Sequence, residues 1–226
     1  IGAGSGGLSV AAAAAQFGQS VILFEKGKMG GDCLNYGCVP SKALIAAAKQ
    51  AHVFRTSSPY GISAAEPKVD FKKVHAHIRK VIAAIEPNDS VERFEELGVK
   101  VVLSAAKFRD AKTVECRDGI FSAKRFVVAT GSRPAVPAIP GLETVPYFTN
   151  ETIFENTVLP KHLIIIGGGA IGMELAQAHR RLGSAVTVIE AFAPLAKDDP
   201  ELTAIVLESL RRDGVKILSQ TPIKKI

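Results

Sequence analysis

One pattern is written twice in this chain, and the repeat constrains the fold more than any other feature. Near the start stands Ile1-Gly2-Ala3-Gly4-Ser5-Gly6-Gly7, then an alanine-rich helical stretch, then Ser20-Val21-Ile22-Leu23-Phe24-Glu25. Far downstream stands Leu163-Ile164-Ile165-Ile166-Gly167-Gly168-Gly169-Ala170-Ile171-Gly172, a second helical stretch, then Ala185-Val186-Thr187-Val188-Ile189-Glu190. The third glycine and the acid, Gly7 and Glu25 or Gly172 and Glu190, are 18 residues apart in both copies. Gly18 and Gly183 end the two helical stretches in register. A lone G-x-G-x-x-G is a weak signal; two copies at matched offsets are not. Glycine lets the backbone approach a pyrophosphate, a helix N-terminus offers open N–H groups and positive potential, and the carboxylate accepts from ribose hydroxyls. The chain therefore reads as α/β, with two Rossmann-like dinucleotide-binding domains. Gly2, Gly4, Gly7 and Glu25 form the first site. Gly167, Gly169, Ala170, Ile171, Gly172 and Glu190 form the second. A carboxylate at 190 repels a 2′-phosphate, so the second site is expected to take NAD(H) rather than NADP(H). Arg180 and Arg181, on the preceding helix, are expected to face solvent.

Composition narrows the alternatives. The chain has 226 residues, 47% hydrophobic and 22% charged, with three cysteines. That length holds two hydrophobic cores, and the balance excludes a disordered tail and a disulfide-dense secreted scaffold. The net charge of +6 suits anionic small ligands. No dense Lys/Arg tract with interleaved aromatics is present, so nucleic acid is not an expected partner. Residues 1–24 carry no charge, a length that could span a membrane. Five glycines, Gln16 and Gln19 interrupt them, Glu25 and Lys26 follow, and the basic start of a signal peptide is lacking. Residues 1–24 therefore read as soluble chain rather than as a membrane span or a signal peptide; the expected location is the cytoplasm, and the missing front leaves a targeting signal ahead of Ile1 open. No metal site is expected.

Between the two copies the pattern is coarser. Residues 38 to about 55 read as a helix with Pro40 in its first turn. Residues 71–97 read as a helix that Pro87 divides and Gly98 ends. Residues 99–103, 113–116 and 125–129 read as short strands, with turns at Arg109-Asp110 and Asp118-Gly119. The run Gly131-Ser132-Arg133-Pro134 through Pro137, Pro140-Gly141 and Pro146 reads as a proline-punctuated crossover between domains. A helix over 200–212 and a strand over 215–218 close the chain. The expected domains are 1–148 and 149–226. No strand stands ahead of the first glycine turn and the second unit stops early, so the chain is expected to be cut at its front and incomplete at its end.

A second signal is Gly30-Gly31-Asp32-Cys33-Leu34-Asn35-Tyr36-Gly37-Cys38-Val39-Pro40-Ser41-Lys42. On a regular helix two thiols five residues apart would point about 140° apart. A bond between them requires a tight loop or a distorted turn, which Gly37 permits. Pro40 marks a helix start just after Cys38, where the positive helix end and Lys42 favour a thiolate. Buried structural cysteines are the alternative, but two dinucleotide sites beside them favour a redox pair. Cys116 has no partner in sequence and reads as a half-buried strand residue.

Residues 30–42 resemble the active-site signature of the flavin-dependent pyridine nucleotide–disulfide oxidoreductases, of the dihydrolipoamide dehydrogenase, glutathione reductase and mercuric reductase type. Val127-Val128-Ala129-Thr130-Gly131-Ser132-Arg133-Pro134 resembles that family's second flavin-contacting turn, and residues 167–174 resemble its NAD turn. The resemblance implies two domains of three-layer ββα architecture, ending before a C-terminal dimerisation domain. It implies FAD on the first glycine turn, with Glu25 on its ribose and Lys26, Gly31, Asp32, Lys42, Ala106, Thr130, Gly131 and Ser132 also toward the flavin. Cys38 would be the thiol next to the flavin and Cys33 the one that exchanges with substrate. Lys42 and Glu174 match positions that are paired near the flavin's reactive nitrogen and the nicotinamide. Asp32 departs from the threonine of the best-known members. The five histidines lie outside the family's motifs and are taken as ordinary surface or helix residues. The implied activity moves electrons between NAD(H), flavin and the Cys33/Cys38 pair, with a small disulfide, dithiol or metal ion as substrate and a homodimer as the full-length assembly. Dihydrolipoamide-type chemistry is favoured. Mercuric-ion reduction and a non-catalytic dinucleotide-binding fragment are the alternatives.

Overall fold

The computed structural model describes all 226 residues, which divide into two compact units. The first holds Ile1–Pro40 and Arg79–Pro134. Along it run α1 (Ser5–Gln16), β1 (Val21–Phe24), α2 (Gly31–Asn35), the start of α3 (Cys38–Thr56), the end of α4 (Phe71–Ile85), α5 (Val91–Glu96), β2 (Val99–Val102), β3 (Lys107–Asp110), β4 (Thr113–Cys116) and β5 (Gly119–Ser122). β1 and β2 pair in parallel, Val21 opposite Val99 and Phe24 opposite Val102. Successive strand side chains point to opposite faces, and both faces here are apolar apart from Lys100, whose amine lies over the Phe121 ring at 5.0 Å. Leu23 and Val99 pack with Ala3, Leu8, Ala11 and Phe94 on one side. Phe24 and Val102 pack with Val114 on the other, and Phe24 meets Phe121 edge to face at 5.4 Å. Helices, a parallel sheet and the antiparallel β3–β4–β5 sheet thus make three layers.

The second unit holds Ser41–Ile78 and Ala135–Ile226. After the rest of α3 and the start of α4 come β6 (His162–Ile166), α6 (Ala170–Leu182), β7 (Ala185–Ile189), α7 (Pro200–Arg212) and β8 (Lys216–Leu218). The three strands form a parallel sheet in the order β6-β7-β8. Met173 and Ala176 of α6 and Leu210 of α7 close its core over Val186 and Val188. No helix is long and apolar enough to cross a membrane.

The structure departs from the sequence reading at several places. The compact units do not follow a contiguous division at 148/149. Residues 41–78 gather with the later part of the chain, where Phe71 lies beside His179 and Arg55 donates to the Arg181 carbonyl. Residues 125–129 form no strand. They make two hydrogen bonds with Ile1, from its amine to Val127 and from the Ala129 amide to its carbonyl, both 2.8 Å. Arg109-Asp110 is not a turn but the end of β3. The chain reverses at Ala111-Lys112, where the Asp110 carboxylate accepts from the Lys112 amide at 2.7 Å. Pro87 divides 71–97 as expected, through a short 3₁₀ turn, Glu86–Asp89.

Candidate active site

The two glycine turns make the same hydrogen bonds at an offset of 165 residues. Gly2 and Gly167 have φ of 102° and 108°, a region that residues with a Cβ avoid. Their amides donate to the ends of the following strands, Gly2 to Phe24 at 2.8 Å and Gly167 to Ile189 at 2.9 Å. A Cβ at Gly7 or Gly172 would collide with the carbonyl oxygen of Gly2 or Gly167. Gly4 and Gly169 cap α1 and α6 in extended conformation. No side chain caps either helix, and neither first turn holds an acid. By contrast α7 is capped by Asp199, whose side chain accepts from the amides of Glu201 and Leu202. The first amides of α1 and α6 therefore stay open to an anion.

The acids do more than sequence reasoning found. Glu25 accepts from the Ala3 amide at 2.7 Å and from the Gly27 amide at 2.6 Å. Glu190 accepts from the Gly168 amide at 2.6 Å and from the Phe192 amide at 2.8 Å. Each carboxylate staples its glycine turn to the end of the next strand, and each oxygen keeps a lone pair for a further donor. The Ala129 carbonyl lies against Gly2, so Thr130, Gly131 and Ser132 follow directly beside the first turn, exposed, with Gly131 at φ 69°. Ala106 packs on the Phe24–Val102–Val114 cluster, and Lys26 is exposed just beyond Glu25. Ala170 and Ile171 open α6 and are exposed.

The cysteine loop lies on the first glycine turn. A Cβ at Gly31 would come 2.5 Å from the Cα of Gly4, so only glycine allows this approach. α2 ends at Asn35, whose side-chain amide donates back to the carbonyls of Met29 at 3.0 Å and Gly31 at 2.9 Å. The helix then breaks at Tyr36 and Gly37, and α3 opens at Cys38. That break brings together two thiols that a continuous helix would hold apart. Gly37 serves by leaving room rather than by an unusual backbone angle, since a Cβ there would meet Asp32 Oδ2 at 2.8 Å. Cys33 is half-buried and hydrogen-bonds with Cys38. That bond first, and then burial, push the Cys33 thiol above the ordinary range, with a weaker opposing pull from the Ser5 hydroxyl. Cys116 is half-buried in β4.

In the second unit, Lys42 Nζ donates to both oxygens of Glu174, at 2.8 and 2.6 Å. Both side chains are exposed, 60% and 42%. Arg180 and Arg181, expected in solvent, are drawn inward. Arg181 Nε donates to Asp213 Oδ2 at 2.7 Å and Arg180 reaches the Ser184 carbonyl. His179 is not a surface residue. Only 1% of it is exposed, and its Nδ1 bonds the Leu175 carbonyl at 2.9 Å.

The family described as pyridine nucleotide-disulphide oxidoreductase matches residues 1–226. A mercuric reductase of Streptomyces lividans is 36% identical over all of this chain and 49% of its own length. One of Lysinibacillus sphaericus is 34% identical, again over all of this chain and 42% of its own. Among solved structures, the HOCl-induced flavoprotein disulfide reductase RclA of Escherichia coli superposes with a TM-score of 0.85 at 27% identity, over 100% of this chain and 49% of that one. LpdA of Mycobacterium tuberculosis, at 24% identity and a TM-score of 0.84, shares the fold over 97% of this chain and 50% of its own. The chain thus spans about half the length of the relatives it matches, and it belongs to the pyridine nucleotide-disulphide oxidoreductase family.

Proposed function

We propose that this chain is the electron-transfer part of an FAD-dependent disulfide oxidoreductase that moves two electrons between NAD(H) and a small thiol-reactive substrate through Cys33 and Cys38. The observation that carries the reading is the cysteine loop seated on a dinucleotide turn, with Gly31 against Gly4 and the two thiols within hydrogen-bonding reach. The first turn fits a dinucleotide diphosphate. It has no Cβ where the backbone must be approached, uncapped helix amides, and a carboxylate with spare lone pairs. Gly2, Gly4 and Gly7 would hold FAD, with Glu25 on its ribose; Gly167, Gly169, Gly172 and Glu190 would hold NAD(H). When bound, the flavin supplies two-electron chemistry between nicotinamide and thiols.

The chain's own residues handle exchange with the substrate. A substrate thiolate attacks Cys33 of the oxidised pair, Cys38 leaves as thiolate, and a second substrate thiolate then releases Cys33 from the mixed disulfide. Two substrate thiols become one disulfide while the pair gains two electrons. Run in reverse, the reduced pair reduces a disulfide. The family resemblance gives Lys42 and Glu174 the nicotinamide-side role and the full-length protein a homodimeric form.

Dihydrolipoamide-type dithiols are the proposed substrate. Mercuric ion is the second reading, favoured by the names of the curated relatives. Mercuric-ion reduction would need an additional cysteine pair to carry the metal to Cys33. The test uses the full-length protein, assayed for NADH oxidation with lipoamide and, separately, with thiol-complexed Hg(II). Turnover with lipoamide that Cys33→Ser abolishes supports the first reading. Turnover with Hg(II) alone supports the second. Undiminished turnover in both Cys33→Ser and Cys38→Ser rules out exchange at this pair.

A further inference from the structure

We infer that Asp213 is a positioning residue for the Lys42–Glu174 pair, acting through the face of α6 that carries Glu174; the inference rests on the role proposed for that pair. The pair itself holds its geometry weakly. Both partners are largely exposed, and an exposed ion pair gains little against the entropy of fixing two long side chains. Met173 and Ala176 seat α6 on its sheet, and a further grip on its outer face sets how it presents Glu174 to α3.

Asp213 is placed to do so. Its side chain is only 9% exposed, and Oδ2 accepts from Gln177 Nε2 at 2.8 Å and from Arg181 Nε at 2.7 Å. Glu174, Gln177 and Arg181 stand three and four residues apart, so they share one face of α6. A single carboxylate therefore grips the two residues that follow Glu174 along that face. The carboxylate is anchored from a third element. Asp213 ends α7, its amide donates to the Ser209 carbonyl at 3.1 Å, and Gly214 turns the chain away at φ 88°.

The same carboxylate also faces α3, with His52 Nδ1 3.7 Å from Oδ1. Arg55, one turn further along α3, donates to the Arg181 carbonyl at 2.5 Å. Between this end and the Lys42 end, Ile45 and Ala48 of α3 face Gln177 and Ala178 of α6 across a gap of about 40 Å³. The two helices thus meet through a partly buried charged cluster around Asp213 at one end and the exposed Lys42–Glu174 pair at the other, with that gap between them. A buried carboxylate held by charge-assisted bonds resists displacement, because moving it strands both the acid and its donors. Rotation of α6 that would carry Glu174 away from Lys42 must first break those bonds.

A double-mutant cycle on the full-length, flavin-loaded enzyme tests this, read as the rate of flavin reduction by NADH in single turnover. Glu174→Gln should slow that step by about tenfold, and Asp213→Asn by about fivefold with KM for NADH little changed. The double variant should be no slower than Glu174→Gln alone, within about twofold, because both changes act through one pair. Multiplied effects would overturn the inference and leave Asp213 a general structural residue. If Glu174→Gln leaves the rate unchanged, the role proposed for the pair fails and the inference with it. Should Asp213→Asn not load flavin, Gln177→Met, which removes one donor only, carries the same cycle with the same two outcomes.

Discussion

Glu190 accepts the amide of Gly168 through one carboxylate oxygen, at 2.6 Å, and thereby fixes the glycine turn that precedes its own strand. Its other oxygen takes the Phe192 amide. Glu25 makes the equivalent bonds to Ala3 and Gly27. The acid thus shapes the turn by itself, and in the proposed nucleotide site a ribose would meet a carboxylate already oriented. Glu190→Gln should cost about 1–3 kcal/mol of stability, because a side-chain NH₂ then opposes a backbone N–H. On the nucleotide, kcat/KM should favour NADH over NADPH in the full-length enzyme, and Glu190→Ala with a nearby arginine should narrow the ratio. Equal kinetics with NADPH in the unaltered enzyme would sink the assignment.

The Cys33 thiol is pushed up chiefly by its hydrogen bond with Cys38, and secondarily by burial. Removing the partner should let it fall back. In the reduced protein, Cys38→Ala should shift the pH midpoint of Cys33 alkylation by iodoacetamide downward, so alkylation at pH 8 quickens. Alanine is chosen because serine could keep the bond. With flavin bound, two-electron reduction should give a long-wavelength charge-transfer band that Cys33→Ser keeps and Cys38→Ser loses. The opposite pattern would exchange the two roles.

Asp32 and Gly37 depend on each other. A methyl group at 37 would come 2.8 Å from Asp32 Oδ2 and 3.1 Å from the Asp32 carbonyl oxygen. Gly37→Ala should therefore lower stability by about 1–3 kcal/mol through overpacking. In Asp32→Ala the carboxylate contact is gone and the carbonyl contact stays, so the double variant should recover part of that loss. A coupling energy of at least about 0.5 kcal/mol in thermal unfolding is expected. Strict additivity would mean that the carboxylate moves aside without cost.

What was legible in the sequence was what repeats or has a period. The doubled glycine spacing, the division at Pro87 and the helices opening at Cys38 and Pro200 all leave local marks. β3 leaves none, because its four residues are all exposed and show no alternation. The Glu25 and Glu190 staples cross 22 residues to single backbone amides, which no composition rule reports. The sequence leaves Arg181 looking solvent-facing because its partner, Asp213, lies 32 residues away, beyond any helical neighbour. His179 could have been found. It continues the apolar stripe of Met173, Ala176 and Leu182, and a histidine on such a stripe is a buried one.

That burial has a pH consequence. His179 is held below the usual histidine range, mainly by desolvation, against a smaller upward pull from the Leu175 carbonyl. A carbonyl can only accept, so Nδ1 carries the proton of the neutral ring. In the unfolded chain the same ring titrates near 6.5. Between that value and the lower folded one the unfolded state binds more protons, so stability is fully present above about pH 6.5 and falls as pH drops through the window. The slope is at most about 1.4 kcal/mol per pH unit for one proton. His52, also held low by burial and by Arg181 and Arg55 against an upward pull from Asp213, adds in the same direction. His179→Gln should be less stable than the unaltered protein at pH 8, through lost packing. Its deficit should shrink steadily from pH 7 to pH 5, while the slope due to His52 remains. Urea unfolding of both proteins at pH 8, 7, 6 and 5 gives the comparison. A deficit that stays constant across that range would show that His179 does not titrate differently on folding.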